Sequence, residues 1–99
     1  MTETAESATD STASQTVVIA SANGLHARPA GLLTQAAAKS GLPVRLAKAG
    51  KEVNAASILG VISLGIVFGD EVMVSADGDN AAAVVAGLVS ILATDHDAA

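Results

Sequence analysis

The stretch Ala27–Asn54 reads ARPAGLLTQAAAKSGLPVRLAKAGKEVN, and its hydrophobic period changes part-way along. Its first half repeats apolar residues at helical spacing, whereas its second half alternates as a β-strand does. Gly41–Pro43 separates the halves with a residue suited to a helix C-cap and a proline that blocks continuation. The sequence therefore predicts a helix over 27–40, followed by a hairpin with strands 44–48 and 51–54.

One face of the predicted helix is apolar. Ala30, Leu33 and Ala37 recur at positions i, i+3 and i+7, and Leu32 and Ala36 widen the stripe. We expect this face to pack against a sheet.

The remaining elements follow from local patterns. The β-branched run in Thr16–Ala20 predicts a first strand, Ser57–Leu64 a short apolar helix with Ser57 as its N-cap, and Glu71–Ala76 an alternating strand. Asp77–Asp79 is expected to turn the chain and cap a final helix. This order of strands and helices indicates an α+β fold whose sheet buries one face under the helices. The apolar stripe of the final helix consists of Val84, Val85, Leu88, Ile91 and Leu92.

Composition and charge exclude several classes of function. The chain of 99 residues has no cysteine, which excludes disulfides, thiol catalysis and cysteine metal sites. His26 and His96 are far apart and do not resemble a metal-binding pair, so we expect neither a metal nor a cofactor. The net charge is −5, and the single aromatic residue and the lack of a basic stripe argue against a nucleic-acid partner.

The ends of the chain differ from its middle. Residues 1–15 have almost nothing to bury and are expected to form a disordered tail before a domain at 16–94, with a second tail at 95–99. No basic region followed by an apolar run opens the chain, so we expect a cytoplasmic protein. The uncharged stretch Val53–Gly69 contains polar residues and three glycines, which favours buried and docking surface over insertion into a membrane.

The turn before the first helix carries the residues suited to chemistry. His26 lies where the helix N–H groups and the positive end of the helix dipole would meet a phosphoryl group bound to its ring. Arg28 could reach that phosphate with its forked guanidinium, and Gly24 would permit a tight turn. A histidine at this place also serves as an ordinary capping or surface residue, so the spacing alone leaves both interpretations open.

Two motifs resemble one protein family. GLHARPA at 24–30 resembles the active-site signature of HPr, the histidine-containing phosphocarrier family of the bacterial phosphoenolpyruvate:sugar phosphotransferase system. SILGVISLGI at 57–66 resembles the serine-site region of that family, at a similar separation from the first motif. The resemblance covers roughly Thr16–Leu92. It implies an open-faced β-sandwich with the order βαββαβα, in which three helices cover one face of a four-stranded antiparallel sheet.

The resemblance also implies a phosphoryl relay rather than an enzyme. His26 would accept the phosphoryl group on Nδ1 from phospho-enzyme I and pass it to IIA domains of sugar permeases. Arg28 would stabilise the phosphate, and the backbone N–H groups of Ala27 and Arg28 would cradle it. Ser57 matches a serine that an ATP-dependent kinase (an HPr kinase/phosphorylase) phosphorylates in part of the family, which makes it a candidate regulatory site. We expect a monomer.

Part of the short helix is a candidate docking surface. Ile58, Leu59 and Ile62 lie near one side of it and could form either core or an exposed patch. The resemblance favours these three residues as a surface on which partners dock. Val61 and Leu64 are then expected to belong to the core.

Two alternatives belong to other classes. A regulatory adaptor of the same fold would bind a transcription regulator or a kinase and perform no relay. Adaptors of that kind lack the active-site histidine, whereas this chain retains His26, Arg28 and Pro29. An unrelated α+β ligand-binding module would have a pocket and would tolerate substitution of His26.

Overall fold

The computed structural model describes residues 12–95, which form one sheet and a layer of helices. This arrangement confirms the predicted α+β fold and the bounds predicted for the first helix and the hairpin. The strands are β1 (Thr12–Val18), β2 (Val44–Lys48), β3 (Lys51–Asn54) and β4 (Glu71–Asp77), and the helices are α1 (Ala27–Ser40), α2 (Ile58–Ser63) and α3 (Ala81–Leu92).

The sheet has the strand order β1-β4-β2-β3, and every neighbouring pair is antiparallel. Val17 of β1 pairs with Val72 of β4, and Leu46 of β2 pairs with Val74. These four side chains are buried, whereas the alternate positions of the same strands are mostly exposed or half-buried. Because side chains alternate along a strand, the helices cover one face of the sheet and the other face stays open.

The core lies between that sheet face and the helices. Ala30, Leu33 and Ala37 of α1 are almost completely buried, as are Val85 and Leu88 of α3. Small side chains let α1 and α3 pack against each other while α3 also packs on β1 and β4. Burial of each Val or Leu side chain contributes about 1.5–3 kcal/mol, so this interface makes a large contribution to stability.

Leu32 does not belong to the buried stripe of α1. Its side chain is exposed, whereas its neighbour Leu33 is fully buried. The stripe is narrower than predicted because only the face of α1 that packs against α2 and α3 excludes water. The predicted end of the helix is confirmed, since Gly41 adopts a left-handed conformation and donates its N–H to the Ala38 carbonyl.

Strand β1 begins earlier than the sequence indicated, at Thr12 rather than Thr16. Residues 12–15, which were assigned to the disordered tail, pair with residues 74–77 of β4. β1 is an edge strand, so its backbone can join the sheet while its polar side chains remain largely in solvent. The β-branched run therefore marked only part of the strand.

The start of α3 also differs from the prediction. The expected turn is present, with Gly78 at φ +123° and the Ala81 N–H donating to the Gly78 carbonyl. The N-cap residue is Asn80, however, and it makes no side-chain capping hydrogen bond. Asp77 does not cap the helix because its carboxylate accepts hydrogen bonds from the Arg45 guanidinium.

Residues 1–11 and 96–99 lie outside the described part of the chain, and with them the rest of the predicted N-terminal tail and His96. Asp95, which was assigned to the C-terminal tail, lies beside the domain, and its carboxylate accepts a hydrogen bond of 3.4 Å from the Ala22 N–H. Among the described helices, none has the length and apolar character needed to span a bilayer.

Candidate functional site

His26 is the N-cap residue of α1, where its backbone is extended (φ −85°, ψ −167°). Its side chain makes no capping hydrogen bond to the helix, so the ring is not used to satisfy the first N–H groups of α1. The residue is half-buried. The imidazole is therefore held at the positive end of a helix and remains within reach of solvent.

The turn that precedes His26 is hydrogen-bonded to the loop after α2. The Leu25 N–H donates to the Ile66 carbonyl over 3.1 Å, and the Gly24 N–H donates to the Ser21 carbonyl over 2.9 Å. Leu25 and Ile66 are both buried side chains of the core. The position of His26 is thus set by the packed interior on one side and by a backbone hydrogen bond on the other.

Gly24 is required at this turn for two independent reasons. Its φ is +74°, in the left-handed region that L side chains rarely adopt. A Cβ at this position would lie 2.6 Å from the Ile66 carbonyl oxygen and 2.8 Å from the Val67 Cα. Both are backbone atoms that cannot move away as a flexible side chain would, so only glycine allows the two segments to approach this closely.

Arg28 carries an exposed guanidinium two residues after His26. Among the described residues it takes part in no ion pair or hydrogen bond. The basic side chains of Arg45 and Lys48, in contrast, are held in ion pairs. Arg28 is the basic residue closest in sequence to His26. Because its guanidinium is not held in an ion pair with a described residue, it is available to an incoming anion.

The first backbone N–H groups of α1 lie at the same end of the helix as His26. The first intrahelical hydrogen bond is donated by Ala30 to the His26 carbonyl (2.9 Å). The N–H groups of Ala27 and Arg28 precede it and have no intrahelical acceptor, and Pro29 has no N–H. Ala27 and Arg28 are exposed while Pro29 is buried, so two donors face solvent beside the imidazole.

Ser57 is the N-cap residue of α2, as its position in the sequence predicted. Its hydroxyl accepts a hydrogen bond of 3.1 Å from the Gly60 N–H, and the residue is exposed. The structural role of this serine is therefore observed, and its hydroxyl is also reachable from solvent.

Helix α2 separates its apolar side chains into two groups. Ile58 is 42% exposed, Leu59 79% and Ile62 44%, whereas Val61 and Leu64 are buried. We call the surface formed by Ile58, Leu59 and Ile62 the α2 patch. α2 packs against α1, and the loop that follows α2 contacts the turn before His26, so the patch and the histidine are carried by adjoining elements.

The loop after α2, residues 65–70, also contributes to the site, which the sequence did not predict. Val67 and Phe68 are 57% and 61% exposed, and the backbone of Val67 lies beside Gly24. The Asp70 carboxylate holds this loop through hydrogen bonds from Lys48 and from the Val67 N–H. Neither periodicity nor motif spacing indicates an ion pair between residues this far apart. The prediction for the uncharged stretch Val53–Gly69 was buried and docking surface, with no ion pair.

Neither His26 nor Arg28 lines either of two surface depressions found among the described residues. One of them, of about 390 Å³, is lined by residues of all four strands and of the β2–β3 turn. The other, of about 370 Å³, lies along β2 and β3. Within residues 12–95, no three His, Cys, Asp or Glu side chains are grouped so that they could hold a metal ion. A histidine, an exposed arginine and two backbone donors on a surface suit a phosphoryl group that is presented to another protein.

Comparison with known proteins agrees with this chemistry. The family model PTS-HPr, "PTS HPr component phosphorylation site", matches residues 13–94. The chain is 45% identical over 73 residues to the phosphocarrier protein HPr of Streptomyces coelicolor, which covers 73% of this chain and 78% of the relative. The chain belongs to the PTS-HPr family.

Two solved structures of HPr proteins are also similar. The crystal structure of HPr from Bacillus anthracis matches with a TM-score of 0.78 and 33% identity, covering 82% of this chain and 96% of that one. The crystal structure of an HPr dimer from Thermoanaerobacter tengcongensis matches with a TM-score of 0.63 and 41% identity, covering 76% and 86%. Membership of the HPr family makes the chain a phosphocarrier of the phosphotransferase system and not a catalyst, and its open-faced sandwich is the fold of these structures.

Replacement of Gly24 by alanine should lower the free energy of unfolding by about 2 kcal/mol or more, because it combines an unfavourable φ with two backbone clashes. Urea denaturation followed by circular dichroism measures the change. Gly31→Ala is the matched control, since a Cβ there meets nothing within 4 Å and alanine favours the helix by roughly 0.5–1 kcal/mol. A Gly24→Ala protein as stable as the wild type would show that the turn does not need this close contact.

Proposed function

We propose that His26 accepts a phosphoryl group on Nδ1 from phospho-enzyme I and passes it to the IIA domains of sugar permeases. The observation that carries the proposal is the place of His26 at the N-cap of α1, next to the exposed guanidinium of Arg28, in a chain of the HPr family. Transfer between proteins requires a residue that a partner can reach, and His26 lies at the N-cap of α1, where it is only half-buried.

Transfer onto His26 exchanges one bond to phosphorus for another. The lone pair of Nδ1 attacks the phosphorus, and the bond between phosphorus and enzyme I breaks with its electron pair returning to enzyme I. The second transfer repeats the exchange with a IIA domain as the acceptor. Positioning and electrostatic stabilisation are sufficient for both steps, so the carrier needs no general base.

The groups around His26 supply that stabilisation. The N–H groups of Ala27 and Arg28 donate to phosphate oxygens at the positive end of α1, and the Arg28 guanidinium approaches the same oxygens as a fork. Arg28 breaks no ion pair among the described residues when it does so. The phosphate therefore gains donors without a competing loss inside the protein.

The α2 patch is the proposed docking surface for both partners. It presents three apolar side chains on a helix whose other side is fixed in the core by Val61 and Leu64. An exposed apolar cluster beside a reactive group is typical of a protein interface. We propose that the relay operates with a monomer, because one chain supplies His26, Arg28 and the patch. We also propose that it takes place in the cytoplasm, as expected for a member of the HPr family.

Ser57 is the proposed regulatory site, with an HPr kinase/phosphorylase as the partner that modifies it and a transcription regulator as a further partner. The hydroxyl is exposed and directly precedes the α2 patch. A phosphate on this hydroxyl would bring roughly two negative charges to an apolar docking surface and would hinder the approach of enzyme I.

Incubation with phosphoenolpyruvate, magnesium and enzyme I should raise the mass of the chain by about 80 Da, the mass of one phosphoryl group. The adduct should be acid-labile, as expected for phosphorus bound to imidazole nitrogen, and intact mass spectrometry detects it. His26→Ala should remain unmodified while keeping the wild-type circular dichroism spectrum. If the wild type gains no mass with an enzyme I that phosphorylates another carrier, the relay is excluded and the adaptor alternative is favoured.

Replacement of Arg28 by alanine should slow phosphoryl transfer by about tenfold, since it removes one charge-assisted hydrogen bond from an exposed site. Rapid-quench measurement of transfer from phospho-enzyme I gives the rate. Lys39→Ala is the control, because Lys39 is an exposed cation in the last turn of the same helix. Equal rates for the two variants would remove Arg28 from the mechanism.

Replacement of Leu59 by glutamate should weaken the binding of enzyme I by at least about tenfold, because it introduces a charge at the most exposed position of the α2 patch. Isothermal titration calorimetry measures the affinity. Met73→Glu makes the same kind of change at a 44% exposed residue on the open face of the sheet and should leave binding intact. Unchanged affinity of Leu59→Glu would move the docking surface elsewhere.

A further inference from the structure

The peptide group between Ile66 and Val67 forms hydrogen bonds through both its carbonyl and its N–H. Its carbonyl, from Ile66, accepts the N–H of Leu25 over 3.1 Å, immediately before His26. Its N–H, from Val67, donates to Oδ2 of Asp70 over 2.8 Å. One rigid peptide plane therefore stands between the Asp70 carboxylate and the turn that carries His26.

The Asp70 carboxylate is itself held by Lys48, the last residue of β2. The Lys48 Nζ lies 2.8 Å from the same Oδ2 and also donates to the Gly65 carbonyl over 3.0 Å. About a quarter of each side chain is exposed, so the pair is mostly covered by protein. Lys48 and Asp70 thus clamp the loop 65–70 at three of its residues.

We propose that Lys48 and Asp70 are positioning residues for His26, and that they act through the Ile66–Val67 peptide. This inference rests on the proposed function of His26. A peptide group is planar and trans, so its C=O and N–H point in opposite directions and cannot be aimed independently. When Asp70 fixes the direction of the Val67 N–H, it also fixes the direction of the Ile66 carbonyl, and thereby the place of the Leu25 N–H.

The charge of Asp70 strengthens this link. A carboxylate that accepts from a peptide N–H polarises that peptide and makes its carbonyl a better acceptor. The hydrogen bond from Lys48 lowers the pKa of Asp70, and the Val67 N–H lowers it further. The carboxylate consequently stays ionised at neutral pH, where the carrier operates.

A second ion pair, between Arg45 and Asp77, is not linked to the turn before His26 in this way. Arg45 Nη1 lies 2.9 Å from Oδ2 of Asp77, at the opposite end of β4 from Asp70. Asp77 also accepts from the Thr12 hydroxyl over 3.0 Å. This pair joins β1, β2 and β4, and no hydrogen bond that it makes within residues 12–95 leads to the turn before His26. It provides a matched control for the removal of a carboxylate.

The test compares Asp70→Ala, Asp70→Asn, Lys48→Met and Asp77→Ala in the full chain. Asp70→Ala should lower the rate of transfer within the complex by about five- to tenfold and leave the KM for the carrier within about twofold, because the α2 patch is untouched. Amide hydrogen exchange of Leu25 should become faster by a similar factor. Asp70→Asn retains an oxygen that can accept from the Val67 N–H and should recover most of both properties.

Lys48→Met removes the ammonium group but leaves the Asp70 carboxylate on the Val67 N–H, so its effects should be intermediate. It is also the variant to use if Asp70→Ala does not fold. Asp77→Ala should preserve both the transfer rate and the exchange of Leu25. The positioning role would be overturned if both Asp70→Ala and Lys48→Met kept the wild-type transfer rate and the wild-type exchange rate of Leu25. It would also be overturned if Asp77→Ala lost as much of both as Asp70→Ala does. A wild-type chain that accepts no phosphate would instead overturn the proposed function, and the exchange of Leu25 would still test the structural link.

Discussion

The hydrogen bond between the Leu25 N–H and the Ile66 carbonyl is the constraint on which the site depends. It joins the turn that opens α1 to the loop that follows α2, two segments that share no local sequence signal. Gly24 makes the bond possible because no side chain separates the two backbones there. The buried side chains of Leu25 and Ile66 continue the contact into the core, so the start of α1 cannot shift without disturbing the packing beneath it. The place of His26 is therefore a consequence of tertiary structure, although its residue type is a matter of local sequence.

The same tertiary support explains how a helix as short as α2 can present a surface. A helix of six residues is unstable alone, since nucleation costs more than its few hydrogen bonds return. Here the Ser57 hydroxyl satisfies the Gly60 N–H at one end, and Val61 and Leu64 anchor the inner side. The outer side chains are consequently presented on a fixed backbone, which would reduce the ordering cost of the proposed docking. A flexible loop with the same apolar residues would lose part of that advantage.

Local patterns predicted most of the fold, and nonlocal contacts account for what they missed. The bounds of α1 follow from helical periodicity and the Gly41 cap, both of which act within a few residues. The start of β1 at Thr12 depends on pairing with β4, and polar edge residues carry no signal of that pairing. The exposure of Leu32 depends on how much of α1 its neighbours cover. In the site, the place of His26 at the start of α1 was predictable because a helix N-terminus has a local sequence signature, whereas its role was implied by the resemblance to the HPr family. The Lys48–Asp70 pair was not predictable, because its members lie on different elements and each is unremarkable alone.

A relay must hold a phosphoryl group firmly enough to receive it and loosely enough to release it. The donors proposed around His26 are two exposed backbone N–H groups and one exposed guanidinium. Charges that face water interact through a high effective dielectric, so a phosphate here is stabilised far less than it would be in a buried pocket. Uniformly stronger binding would stabilise the phosphorylated carrier itself, and it would then raise the barrier to the second transfer. The partner protein can supply the remaining donors and exclude water during each transfer. A shallow site that is incomplete until a partner docks is therefore the arrangement that allows one histidine to serve two proteins in turn.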